Sequence, residues 1–314
     1  MWKMVIVKMK VTINDYDIGL TKADISLCIH ETNAESKADT LKMNIKDPNR
    51  YWPNMQIASN DIIKVTSDFS KTGAMYIHRA VPKGDYFEIL AMSIPVSATQ
   101  KKSMAWQSVR LFQLLKQKAD ELGLFISMYG IENFAYNYIT QDDETDMSFI
   151  SKICKREGYQ MIVFDDRMII YSESYIEGFE PNGTIIVDQK HPIHDYDDSY
   201  KAYKSCKISG GGYSAFFTDK SLNTSSILTK TETYVESDSQ ALRYAKGYLR
   251  DSNKDLKHGD FTIQIDERYA AGSVCLLDAL EMENDEKIFL KTVRYDYMND
   301  SMKVFYRKIF LEGY

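Results

Sequence analysis

Residues 141–159 read QDDETDMSFISKICKREGY, with four acids, Asp142, Asp143, Glu144 and Asp146, crowded ahead of an apolar run. Carboxylates this dense can hold a cation, share a proton in catalysis or start a helix. A calcium loop needs acids at alternate positions, then a glycine at the sixth and a glutamate at the twelfth. Counted from Asp142, those last two places hold Met147 and Ile153, and counted from Asp143 the alternate places hold Thr145 and Met147. The loop is excluded. A glycosidase pair needs a second carboxylate across a cleft, and the sequence names none. Capping accounts for the stretch: Asp143 or Thr145 caps a helix, Asp146 sits in its positive first turn, and Lys155 and Arg156 sit in its negative last turn. Asp142 and Glu144 are read as solvated surface. On this reading Asp146→Ala costs about 1 kcal/mol, the worth of a cap or a first-turn acid, and removes no activity.

The other chemical candidates are sparser. His191 and His194, in HPIH, have a spacing that could chelate a metal, but Pro192 points to a surface turn and no third ligand lies near. Cys28, Cys154, Cys206 and Cys275 are far apart with no CxxC, as free buried thiols in a reducing cytoplasm would be. SGGGYSAFF (209–217) lacks the glycine patterns of phosphate loops, and GYSAF is not a nucleophile elbow. The run is expected to end a strand and open a flexible loop reaching KSLNTSS (220–226), which could order on a partner. No catalytic, cofactor-binding or metal-binding residue is assigned.

Elements of three kinds must position these residues. Apolar residues three or four apart predict helices over about 103–122, with Ser103 as N-cap, about 145–157, and about 238–251, the last opened by a capping box at Ser237 and burying Leu242, Ala245 and Leu249. The first two end alike, in a glycine followed by an apolar strand: ADELGLFISM (119–128) and CKREGYQMIV (154–163). Together they suggest one small α+β module. On either side the chain alternates apolar and polar residues, beginning with Val5, Val7, Met9, Val11 and Ile13 and closing with KIFLKTVRYDY and SMKVFYRKIFL, a hairpin around MND. The fold class expected is α+β, β-rich: two small barrel-like β domains, residues 1–100 and 179–314, flanking or packed with an α+β module at 101–178.

The 314 residues can bury a sizeable core and allow two or three domains. A net charge of −6 argues against binding nucleic acid or anionic lipid through bulk charge. No apolar run approaches the roughly 18 residues of a membrane span, and the start does not resemble a secretory signal. The 22 tyrosines and 14 phenylalanines, Tyr295, Tyr297, Phe305 and Tyr306 among them, suit half-buried strands, large contact surfaces or sugar sites.

Six pieces, in order along nearly the whole chain, resemble the phage late control gene D family. ADTLKMNIKDPNRYW (38–52) is similar to its "aD.l.i.l.dp...w" stretch, and residues 89–124 to its strand, polar segment and helix. QDDETDMSFISKICKREGYQMIVFDDRMII (141–170) is similar to its "q..esD..Fl.rla.e.Gy" element through Thr145, Asp146, Phe149, Gly158 and Tyr159, with Thr145 in place of Ser. SQALRYAKGYLRD (239–251) and YAAGSVCLL (269–277) resemble its last helix and strand, and KIFLKTVRYDY its closing strand. The resemblance implies a structural hub of a contractile phage tail or tail-like particle. It implies a homotrimeric ring offering six similar faces to the hexameric tail tube protein. It further implies partnership with a trimeric spike protein, here a separate chain, and with other baseplate proteins. No membrane, sequence-specific nucleic acid, cofactor or enzymatic activity is implied. The location expected is the bacterial host cytoplasm during assembly and the baseplate of the particle afterwards. A tail enzyme or carbohydrate-binding module directed at the cell wall is the alternative, motivated by the acids and the tyrosines.

Overall fold

The computed structural model describes residues 9–187, 192–279 and 286–311. Val5, Val7, His191 and Tyr314 lie outside them. The fold is α+β and β-rich, and among the described residues no sheet closes into a barrel.

Most strands join one sheet. Its order is His194–Asp197, Lys257–Gln264, Ser301–Lys308, Glu286–Asp296, Ile25–Asn33, Thr40–Lys46, Tyr86–Met92, Met75–Lys83, Ile62–Ser67, Met9–Ile13 and Tyr16–Asp17. Thr184–Val187 and Val274–Ala279 attach to it beside Glu286–Asp296. The two β-rich stretches of sequence therefore meet at one seam, where Glu286–Asp296 pairs antiparallel with Ile25–Asn33. Beside the seam, strict alternation fixes the register of the next strand. In Thr40–Lys46, Leu41, Met43 and Ile45 are fully buried while their neighbours face outward, so a one-residue slip would expose all three. Their core is shared: Leu41, Met43, Ile77 and Ile89 from the first stretch pack in one cluster with Leu290, Val293, Val304 and Tyr306 from the last.

Between the two stretches lies a second core. The helices α1 (Leu111–Glu121) and α2 (Asp146–Glu157) pack over a three-stranded sheet of Tyr159–Phe164, Arg167–Ser172 and Phe125–Tyr129. Each helix ends as its sequence predicts. Gly123 and Gly158 have φ of 69° and 75°, the left-handed conformation that lets a chain leave a helix. The short helix α3 (Glu173–Glu177) and the longer α4 (Asp238–Asn253) follow. Ser237 Oγ caps α4 by accepting from Gln240 N at 3.1 Å.

Three expectations change. Residues 103–110 are not helical: Lys101–Arg110 is a strand paired with Ala135–Thr145, and Ser103 Oγ accepts from Asp143 N at 3.0 Å instead of capping a helix. The stretch KKSMAWQSVR fits both periods, since Lys102, Met104 and Trp106 also alternate with exposed residues, and the partner strand decides. Asn133 Oδ1 caps α1 from a distance, accepting from Phe112 N at 3.0 Å. Leu242 is exposed, because Ala241, Tyr244, Ala245 and Leu249 form the buried stripe of α4. The Gly run is not a loose loop. Ser205–Gly210 and Tyr213–Thr218 form a hairpin whose two-residue turn, Gly211 and Gly212, has φ of 56° and 87°.

Candidate functional site

The acids of 142–146 do not converge on one point. Thr145 caps α2, its Oγ1 accepting from Ser148 N at 3.2 Å. Asp143 sits at a strand irregularity with φ of 43° and pairs with Lys101 at 2.9 Å. Asp142 is exposed. Glu144 is not solvated as expected: it pairs with Lys152 at 2.7 Å and accepts from Ser148 Oγ at 3.1 Å. Asp146 differs most. Its side chain is fully buried, and its carboxylate accepts from Lys102 Nζ at 2.6 Å, Lys118 Nζ at 2.9 Å and Gln141 Nε2 at 3.1 Å. Burial pushes this carboxyl up, but the bonds from the two lysines and Gln141 outweigh it and hold the pKa below the usual range. Lys118 is itself fully buried, with its ammonium 5.1 Å from the Trp106 ring. Asp146 thus ties the strand Lys101–Arg110 and α1 to the start of α2.

A second charged group was not anticipated from the sequence. Glu173 and Glu177 of α3, Arg250 and Lys254 at the end of α4, Arg307 of the last strand, and Glu35 meet in the interior. Glu173 accepts from Arg250 Nε at 3.2 Å, Lys254 Nζ at 3.0 Å and Arg307 Nη2 at 3.3 Å, and Arg307 reaches Glu177 at 2.6 Å. Three acids balance three bases. Burial raises the Glu173 carboxyl, and Lys254, Arg307 and Arg250 more than reverse it, to about 2. The signal was present as two complementary i,i+4 pairs, Glu173/Glu177 and Arg250/Lys254, which place like charges on one helix face. The group fastens four distant segments.

Among the described residues, no group of three or more His, Cys, Asp and Glu is placed to hold a metal. His194 is exposed and lies 3.3 Å from Asp260. All four cysteines are buried and unpaired with one another, and burial pushes the thiols of Cys28, Cys154 and Cys275 up to about 12. Of the strand aromatics, Tyr295, Tyr297 and Tyr306 are buried. No described helix is long and apolar enough to cross a membrane.

What the surface offers is edges. Among the described residues, the large sheet ends in Tyr16–Asp17 on one side and His194–Asp197 on the other, each carrying an exposed tyrosine, Tyr16 and Tyr196. The hairpin sheet exposes Phe216 and, on its parallel neighbour Ile227–Thr231, Ile227. Phe125 and Tyr129 stand out from the edge strand Phe125–Tyr129. Unpaired backbone groups beside exposed aromatics are what strand pairing or face packing between chains uses.

No family model and no curated protein matches the chain. Solved structures do. The tail protein from Neisseria meningitidis MC58 superposes with a TM-score of 0.74 at 12% identity, over 96% of this chain and 96% of that one. The 43 kDa tail protein of prophage MuSo2 from Shewanella oneidensis gives 0.72 at 10% identity, over 96% and 98%. The E. coli c3393 protein gives 0.55 at 9% identity, over 97% and 79%; it is described as a component of the type VI secretion system with structural similarity to the T4 tail proteins gp27 and gp5. The chain has the fold of these tail proteins.

Proposed function

We propose that this chain is a structural baseplate hub of a contractile phage tail or tail-like particle. One observation carries the reading: the likeness to two tail proteins extends over 96% or more of both partners, so the whole chain, and not a shared module, is comparable. The structural similarity of the c3393 protein to gp27 and gp5 points the same way. The hub is a homotrimeric ring that adapts the hexameric tail tube protein to the trimeric spike protein and contacts other baseplate proteins. It acts by assembly, through strand edges and faces, and catalyses nothing. The division into residues 1–100, 101–178 and 179–314 belongs to this reading. It is supported by the separate core under α1 and α2 and by the two sets of strands that meet at the central seam. Its place is the bacterial host cytoplasm during assembly and the baseplate of the particle afterwards.

The test is mass in solution, by light scattering, alone and mixed with the trimeric spike protein of the particle. A trimer, or a monomer that becomes a trimer on adding the spike protein, is expected. A stable dimer, or no association with the spike protein, refutes the hub.

A further inference from the structure

A cleft of about 360 Å³ opens between the strand Ala135–Thr145, α2, the segment before α4 and α4 itself. Its walls are aromatic. Tyr138 and Tyr234 face each other edge to face with ring centroids 5.0 Å apart, and Tyr248 and Tyr244 close the end toward α4. The far wall is pinned in place: Glu236 accepts from Asn137 N at 3.1 Å and Tyr138 N at 3.0 Å, stapling the segment to the strand. The cleft is therefore preformed.

Its polar groups are incompletely used. Among the described residues, Arg156 makes one long contact, Nη1 to Glu232 Oε2 at 3.4 Å, and its buried Nε has no hydrogen-bond partner. The guanidinium lies over the Tyr244 ring at 5.2 Å. Glu232 accepts from Tyr248 Oη through its other oxygen. Donor and acceptor thus sit side by side beneath tyrosine rings, where one hydroxyl-bearing ligand could accept from the first and donate to the second. Charge selects further. Among the described residues, Asp142, Glu144 and Glu232 line the cleft against Lys152 and Arg156, which disfavours an anion. Tyrosine faces beside a guanidinium and a carboxylate suit the apolar faces and hydroxyl rims of a neutral pyranose, and the volume lies at the lower end of small-ligand sites, about 300–1,000 Å³.

We propose that this cleft binds one or two residues of a neutral glycan. The inference does not depend on the hub reading, since it needs only the monomer. It makes the protein a sugar-recognising part of whatever assembly holds it.

The test is titration of the full chain with cellotriose, maltotriose and chitotriose, followed by tyrosine-ring NMR shifts, with trigalacturonate as the charged control. At least one neutral trisaccharide is expected to bind at millimolar concentration and trigalacturonate more weakly. Tyr234→Ala, at an exposed wall, should weaken binding about tenfold, the worth of one stacking ring. Arg156→Lys should weaken it too, with the melting temperature of each variant checked against the parent chain. No shift with any neutral trisaccharide overturns the proposal. So does binding that survives Tyr234→Ala in a folded variant, or tighter binding of trigalacturonate.

Discussion

Asp146→Ala separates two accounts of the same residue. As a first-turn acid it would be worth about 1 kcal/mol at most. The structure gives it a larger role, because its side chain and that of Lys118 are both fully shielded from solvent and 2.9 Å apart. Deleting the carboxylate leaves the Lys118 ammonium buried with Glu121, at 3.1 Å, as its nearest remaining carboxylate. Removing one partner of a buried pair costs about 3–5 kcal/mol. Glu121 is partly solvated and recovers some of this, so about 3 kcal/mol is expected. Urea unfolding reads the loss, and Trp106 fluorescence reports it locally, since its ring stacks on Phe149 at 5.2 Å. Lys118→Met in the Asp146→Ala background removes the stranded charge and should restore at least half the loss, giving a double-mutant cycle far from additive. A loss of about 1 kcal/mol with additive behaviour would refute the buried-pair account and leave only the helix dipole.

Three further perturbations probe the interior. Gly247→Ala places a Cβ 2.3 Å from Arg156 O and 2.8 Å from Gly158 N, both backbone atoms, where α4 crosses the end of α2. Thermal melting should show a loss at or above the upper end of the about 1–3 kcal/mol typical of overpacking; a gain, as helix propensity alone predicts, would show that the helices do not touch there. Acid should unfold the protein with a steep dependence. The folded pKa of Glu173, about 2, lies below its ordinary 4.5, so its stabilisation is complete above pH 4.5 and drains away as pH falls toward 2. A flat urea-unfolding free energy between those values would contradict the buried network. His30 is fully buried with neither ring nitrogen bonded among the described residues, and burial depresses its pKa from 6.5 to about 3, so stability also falls as pH drops through that window. His30→Phe keeps the stack on Tyr295, 5.7 Å away, and should hold or raise stability at pH 7 while flattening the curve from 6.5 to 3, measured by urea unfolding across pH.

Local chemistry made part of the fold legible. Thr145, Gly158, Gly123 and Ser237 mark helix ends by capping rules that depend on neighbours in sequence, and all four end or cap a helix, although the box expected at Ser237 does not close, since Gln240 Oε1 accepts from Glu236 N at 2.6 Å. The alternation of Leu41, Met43 and Ile45 gave a strand for the same reason. Residues 103–110 failed because two periods fit them, and the choice rests on a strand some thirty residues away in sequence. The Gly run failed because glycine permits a tight turn as readily as a mobile loop. The charged interior failed most fully. Nothing near Asp146 in sequence shows Lys118, and nothing near Glu173 shows Arg307, 134 positions away. The family-like acids Asp39 and Asp47 likewise serve the backbone: Asp39 accepts from Asn33 N at 2.8 Å, and Asp47 from Tyr51 N at 2.7 Å. The tyrosine cleft joins residues near 138, 156, 232 and 248, so composition hinted at it and only folding assembled it.

The central seam also sets a clock. Thr292 Oγ1 donates to Asn33 Oδ1 at 3.0 Å across 259 positions of chain. At about 5–20 residues per second, ribosomal synthesis would take roughly 13–50 s to deliver the strand Glu286–Asp296 to its partner. Until then Ile25–Asn33, already paired with Thr40–Lys46 on one side, presents a bare ladder on the other. The newborn chain passes through a period in which a neighbouring copy could pair there first. Slower synthesis lengthens that period and dilution of nascent chains protects it, so the yield of folded protein should fall with expression level before it falls with temperature.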